Sequence, residues 1–157
     1  AFPFEYRDIE VTLPDGRTGL VSNAISQFII ANPDLSETRV LSTEISNVQE
    51  LRWSTDGRQI AFTGEKITVA EDGPLFSRLL NVIDTESGII RDLMLPGDAD
   101  FVNLCVWSPD GKLVSTRIFE GVSDKRISNI FLHETDGNRL VRLTSFQEGR
   151  VSCPIWG

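Results

Sequence analysis

A chain of 157 residues, 40% hydrophobic and 24% charged, has the balance of a globular domain that can bury a core, which excludes a disordered tract. No apolar run approaches the roughly 18–20 residues that a membrane-spanning helix needs, and the longest, such as residues 27–31, are strand-sized. The net charge of −8 repels phosphate backbones, and Arg39, Arg52, Arg58, Arg91, Lys112 and Arg142 are dispersed rather than gathered, so nucleic-acid binding is not expected.

The chain opens Ala-Phe-Pro-Phe, with neither a Met nor a basic stretch before an apolar one, so the sequence carries no signal peptide and reads as a processed or trimmed start. A leader removed earlier would leave the same start, and the compartment stays open. Residues 8–45 predict a first, irregular set of strands. Within it Leu13-Pro14-Asp15-Gly16-Arg17 is a turn, and Phe28-Ile29-Ile30-Ala31-Asn32 leads through Pro33-Asp34-Leu35-Ser36 into Arg39-Val40-Leu41-Ser42. Residues 22–28 are the best helix candidate, and they are too short.

The next two segments repeat one another. Leu51-Arg52-Trp53-Ser54-Thr55-Asp56-Gly57-Arg58 recurs as Cys105-Val106-Trp107-Ser108-Pro109-Asp110-Gly111-Lys112, with the tryptophans 54 residues apart. Each copy predicts a hairpin turn between apolar strands: Pro109 presets φ, the aspartate accepts local backbone bonds, and the glycine takes the φ > 0 position. A second motif follows each. Leu80-Asn81-Val82-Ile83-Asp84 leads through Thr85-Glu86-Ser87-Gly88 into Ile89-Ile90-Arg91-Asp92-Leu93. Likewise Ile130-Phe131-Leu132-His133 leads through Glu134-Thr135-Asp136-Gly137 into Leu140-Val141-Arg142-Leu143-Thr144. Two hairpins per period make a four-stranded meander of roughly 50 residues, the size of a propeller blade. A further start, Cys153-Pro154-Ile155-Trp156-Gly157, comes at the end of the chain.

The Trp-Ser-Pro-Asp-Gly-Lys turn, the strand ending near an acid and a Gly turn, and Arg142-Leu143-Thr144 together resemble the TolB-like β-propeller repeat. The resemblance is strong over residues 46–157, with Thr55 in place of the usual proline, and weak over residues 8–45. It implies an all-β fold of propeller blades in one partial domain over residues 1–157. The blades fall at about 8–45, 46–97 and 98–148, and 151–157 is the first strand of a further one. In such blades the tryptophan fills space between adjacent sheets and the Asp-Gly belongs to the turn, so neither is carried over as catalytic. The family implies a binding platform, found in extracytoplasmic transport-associated proteins and as the non-catalytic domain of some serine oligopeptidases.

Three blades are too few to close a ring of about four to eight. Two chains pairing as a homodimer would complete six blades, with the end strand of one completing a blade of the other. The alternative is a segment of a longer propeller.

Chemistry is poorly represented. There is no G-x-S-x-G elbow, and the single histidine, His133, aligns with Asp84 and Asn32 as a strand-end polar position. Asp34, Asp56, Asp84, Asp110 and Asp136 are accounted for by turns, and Glu86 and Glu134 flank them. Asp98, Asp100 and Glu120 are left over, and a solvated loop is the expectation for Asp98 and Asp100 over a calcium site. No Gly-rich phosphate loop is present. Cys105 and Cys153 lack a metal-type spacing, and with one histidine a zinc site would need carboxylates. Both cysteines sit in apolar strands, where buried free thiols are expected, with a disulfide as the alternative if those strands are neighbours.

No catalytic, cofactor-binding or metal-binding residue is therefore assigned. The expectation is a non-enzymatic module that binds proteins or peptides, with residues 65–77 and 119–128, the variable segments between second and third strands, as its recognition surface. An accessory propeller piece of a larger hydrolase is the alternative.

Overall fold

The structure, a computed structural model, describes residues 5–12, 18–32, 34, 36–70, 73–97, 99–120, 127–136 and 139–157, with the backbone alone at 5–12, 18–27, 42–44, 67–70, 73–76, 99, 100 and 120. Among the described residues every regular element is a strand, as the turn-punctuated sequence predicts. These are β1 (Glu5–Thr12), β2 (Thr18–Ala31), β3 (Thr38–Trp53), β4 (Gln59–Ala70), β5 (Gly73–Asp84), β6 (Ile90–Leu93), β7 (Ala99–Trp107), β8 (Leu113–Glu120), β9 (Ile127–Glu134) and β10 (Leu140–Arg142).

One sheet runs β1-β2-β3-β4-β5-β6 and the other β10-β9-β8-β7. The four strands β3 to β6 and the four strands β7 to β10 are the two meanders that the repeats predict. The expected blade boundary at 45/46 falls inside β3, which continues without a turn. The Pro14-Asp15-Gly16 turn, Pro33, Leu35, Gly121, Asp124, Lys125 and Gly137 lie outside the described residues.

The chain divides into two compact units, Ala1–Val48 with Gly64–Arg78, and Gln49–Thr63 with Leu79–Gly157. In the first, β1 pairs with β2 from Glu5 opposite Ile25 to Thr12 opposite Thr18, and β2 pairs with β3 through a bulge between Ile25 and Gln27. Among its described side chains Phe28, Leu41 and Ile45 are buried and apolar, and a Cβ on Gly64 would collide with Ile45, which is why the smallest residue stands there.

In the second unit the two meanders pack on each other. Ala61, Leu80, Val82 and Leu93 from one sheet meet Leu104, Trp107 and Val114 from the other, and Leu95 packs at their side. Leu95 also reaches a second cluster of Val102, Ile118 and Phe131. Alternation along the strands supplies this face: Leu80 and Val82 lie two apart on β5 and so point the same way.

The turns have the predicted chemistry, atom for atom in both copies. Ser54 Oγ donates to Asp56 Oδ1 at 2.7 Å and accepts from Gln59 N at 2.9 Å, while Arg58 N donates to Asp56 Oδ1 at 3.1 Å. In the next repeat Ser108 Oγ donates to Asp110 Oδ1 at 2.6 Å and accepts from Leu113 N at 2.9 Å, with Lys112 N on Asp110 Oδ1 at 3.2 Å. Gly57 and Gly111 have φ of 71° and 70°, the left-handed region where a side chain is strained.

One expectation is corrected. Cys105 and Cys153 are joined in a disulfide across 48 residues of chain, not free thiols, because residues 143–153 return along the β7–β10 sheet. Residues 151–157 carry no regular secondary structure.

Candidate functional site

Residues 65–77 do not form the loop that their variability suggests. Residues 65–70 belong to β4 and 73–77 to β5, which are neighbours in one sheet, and residues 71 and 72 lie outside the described residues. Residues 119 and 120 likewise end β8, and residues 127 and 128 begin β9. The expected recognition segment there contracts to residues 121–126, outside the described set.

At the opposite ends of these strands the turns form a cleft of about 310 Å³ lined by Asp110, Lys112, Leu113, Glu134 and Asp136. Asp110 is held below the usual carboxylate range, first by the Ser108 hydroxyl and then by the Lys112 backbone N–H. It is already committed to its own turn. Above it, Thr135 donates through both N (3.0 Å) and Oγ1 (3.1 Å) to the Lys112 carbonyl. Thr85 does the same to the Arg58 carbonyl, at 2.9 Å and 3.0 Å. These two threonines, unassigned in the sequence reading, tie the two hairpins of each meander together. Their recurrence one residue after Asp84 and Glu134 is the signal that could have found them.

That pairing corrects the place of His133. Asp84 N donates to Ile89 O, Glu134 N to Arg139 O and Asn32 N to Glu37 O, so Glu134 is the equivalent of Asp84 and Asn32. His133 therefore stands where the preceding repeat has Ile83, an interior position. It is buried, and its Nε2 lies 2.7 Å from Thr116 Oγ1. Burial pushes the imidazole down to about 4, opposed by a weaker backbone contribution from Met94, so it is neutral at physiological pH.

A second polar group crosses the sheet interface. Glu50, at a left-handed φ of 40°, accepts from Asn103 Nδ2 at 2.9 Å and from Leu104 N at 2.6 Å. Such a φ costs an ordinary residue about 1–2 kcal/mol, which the two charge-assisted hydrogen bonds offset. Asn103 Oδ1 accepts from Arg117 Nη2 at 2.8 Å, and Arg117 Nη1 reaches the Val151 carbonyl at 3.4 Å. The Arg117 and Arg150 guanidinium carbons lie 5.0 Å and 5.9 Å from the centre of the Phe119 ring. Glu50 and Arg117 thus link the second repeat, the third repeat and residues 150–151. Trp107 completes the interface, its Nε1 donating to the Arg52 carbonyl at 2.9 Å.

Among the described residues no three His, Cys, Asp or Glu side chains gather to hold a metal ion. Asp98 and the side chains of Asp100 and Glu120 lie outside the described set. The chain matches no protein-family model and no curated protein sequence. What fold and contacts define is an all-β protein of antiparallel sheets that includes two four-stranded meanders.

Proposed function

We propose that this chain is a non-enzymatic binding or scaffold module built of TolB-like propeller blades, engaging a protein or peptide through the segments that join its second and third strands. The observation that carries the reading is the repeated bracing. The Ser and Asp side chains that recur in the repeat are spent on their own turns, the Thr side chains on the preceding hairpin, and Trp107 on the neighbouring sheet. A framework braced in this way leaves its connecting segments free to vary, and a partner is read by such segments.

The test is selection from a random peptide library on the immobilised chain, followed by titration of the enriched sequence. A shared consensus that binds the chain and loses at least about tenfold in affinity when residues 121–126 are replaced by a short Gly-Ser turn supports the reading. No enrichment, or binding indifferent to that replacement, overturns it.

A further inference from the structure

The two meanders that meet inside the second unit are held together unevenly. Every described hydrogen bond that crosses between them starts from β3 or the turn after it. Glu50 accepts from Asn103 Nδ2 and Leu104 N, the Arg52 carbonyl accepts the Trp107 indole N–H, and Thr55 Oγ1 donates to the Pro109 carbonyl at 2.9 Å. All of these end on β7 or its turn. Strands β9 and β10, on the far side of their sheet, have no described bond of this kind. Phe131 and Leu140 pack there with Leu95, from the segment that follows β6.

A buried polar pair marks the seam between the two sides. In one row across the sheet Thr116 lies between Leu104 and Phe131, and in the next His133 lies between Val114 and Leu140. Leu104 and Val114 belong to the cluster of Trp107, Ala61, Leu80, Val82 and Leu93, whereas Phe131 and Leu140 belong with Val102, Ile118 and Leu95. His133 Nε2 is 2.7 Å from Thr116 Oγ1, and its Nδ1 is buried with no hydrogen-bond partner among the described residues. By strand alternation, the charged side chains that this unit's described residues bring to the facing surfaces are Glu50 on β3, Asp84 at the end of β5, Arg91 on β6 and Arg142 on β10. None of the four acts on the imidazole, which responds to its burial and, more weakly, to the Met94 backbone.

We infer that His133 makes this seam an acid-sensitive joint: protonation of the imidazole parts β9 and β10 from β6 and residues 94–95, while β7 stays tied to β3 through Glu50, Arg52 and Thr55. An imidazolium has two N–H donors and a charge, and the closed interior offers it one hydroxyl and no carboxylate, so it is satisfied by reaching water. The β9–β10 side yields because no described hydrogen bond crosses there. The joint is independent of what the chain binds.

Thiol labelling of two single variants, Leu140→Cys and Val114→Cys, tests it on the full chain with its disulfide intact. Each rate is divided by that of an unstructured peptide at the same pH. A histidine of ordinary affinity when open, titrating at about 4 when closed, opens the joint about 20-fold more at pH 5 than at pH 7. The Leu140→Cys ratio rises by about that factor, the Val114→Cys ratio stays within about threefold, and adding His133→Leu abolishes the rise. Methyl relaxation dispersion on the unsubstituted chain reads the same event without a cysteine: exchange at Leu95 and Leu140 grows as the pH falls, and is absent from His133→Leu. A flat Leu140→Cys ratio, an equal rise at Val114→Cys, or a rise that survives His133→Leu overturns the inference, as does methyl exchange at Leu95 and Leu140 that is indifferent to pH.

Discussion

The second and third repeats share their turn almost atom for atom, and differ in what lies against them. In both, a Ser-x-Asp-Gly turn is closed by the same three side-chain bonds. Trp107 is buried at a sheet interface and Trp53 is half exposed. Leu93 is 7% exposed, and Leu143, which follows β10 as Leu93 ends β6, is 51% exposed. One motif therefore yields a core residue or a surface residue according to whether another sheet covers it. Hairpin chemistry is local and repeats faithfully, while burial is set by neighbours.

The largest expected break in this symmetry is at the tryptophans. Trp107→Ala should cost about 3–5 kcal/mol by removing a buried indole and orphaning its acceptor, whereas Trp53→Ala should cost the single chain under about 0.5 kcal/mol. Chemical denaturation of both variants at low concentration, where any dimer dissociates, measures the difference directly. Equal losses would mean that both indoles are covered in solution even in the monomer.

Next comes the disulfide, which has no counterpart in the second repeat, where Leu51 stands at the position of Cys105. Closing a loop across 48 residues restricts the unfolded chain, so Cys105→Ala with Cys153→Ala should cost up to about 4 kcal/mol. Thermal unfolding with and without a dithiol reductant gives the same comparison without mutation, the reduced protein melting lower.

The third contrast is between His133 and Ile83. The folded-state imidazole titrates near 4, below the 6.5 of an unperturbed histidine. Between those values the unfolded chain binds a proton that the folded chain refuses, so stability falls as pH drops from about 6.5 to about 4 and then levels off. The loss is at most about 3 kcal/mol. His133→Leu should flatten stability across that window. The turn aspartates Asp56 and Asp110, both held low by a serine hydroxyl, act only below it.

The smallest effect should also be the most even. Gly57→Ala and Gly111→Ala both place a side chain at φ near +70°, and a Cβ at either position has room. Each should cost about 1 kcal/mol from backbone strain alone, read as nearly equal shifts in melting temperature. A marked inequality would show that the two turns are not interchangeable.

Much of the architecture was legible in these residues. Pro109, the aspartates and the glycines carry turn preferences that act within four residues, so strand order and the two meanders could be read along the chain. The candidate site was less legible. Residues 65–70 and 73–77 look variable and yet extend two strands, because backbone pairing tolerates most side chains on an open sheet. Glu50 gave no sign of its role, since its partners Asn103 and Leu104 are more than fifty residues away. The strand-end reading of His133 failed for a related reason: its position depends on which residue of the next turn reaches the Lys112 carbonyl.

By itself, then, the sequence determined an all-β chain, the positions of its hairpins, and the repeat that relates Trp53, Trp107 and Trp156. Those features follow from backbone preferences and alternation, which are properties of a few neighbouring residues. Only the tertiary structure decided that Trp107 is covered while Trp53 stays half exposed, that Cys105 meets Cys153, and that His133 is interior and neutral. Each of those depends on a surface brought from far along the chain, and no local pattern encodes which surface arrives.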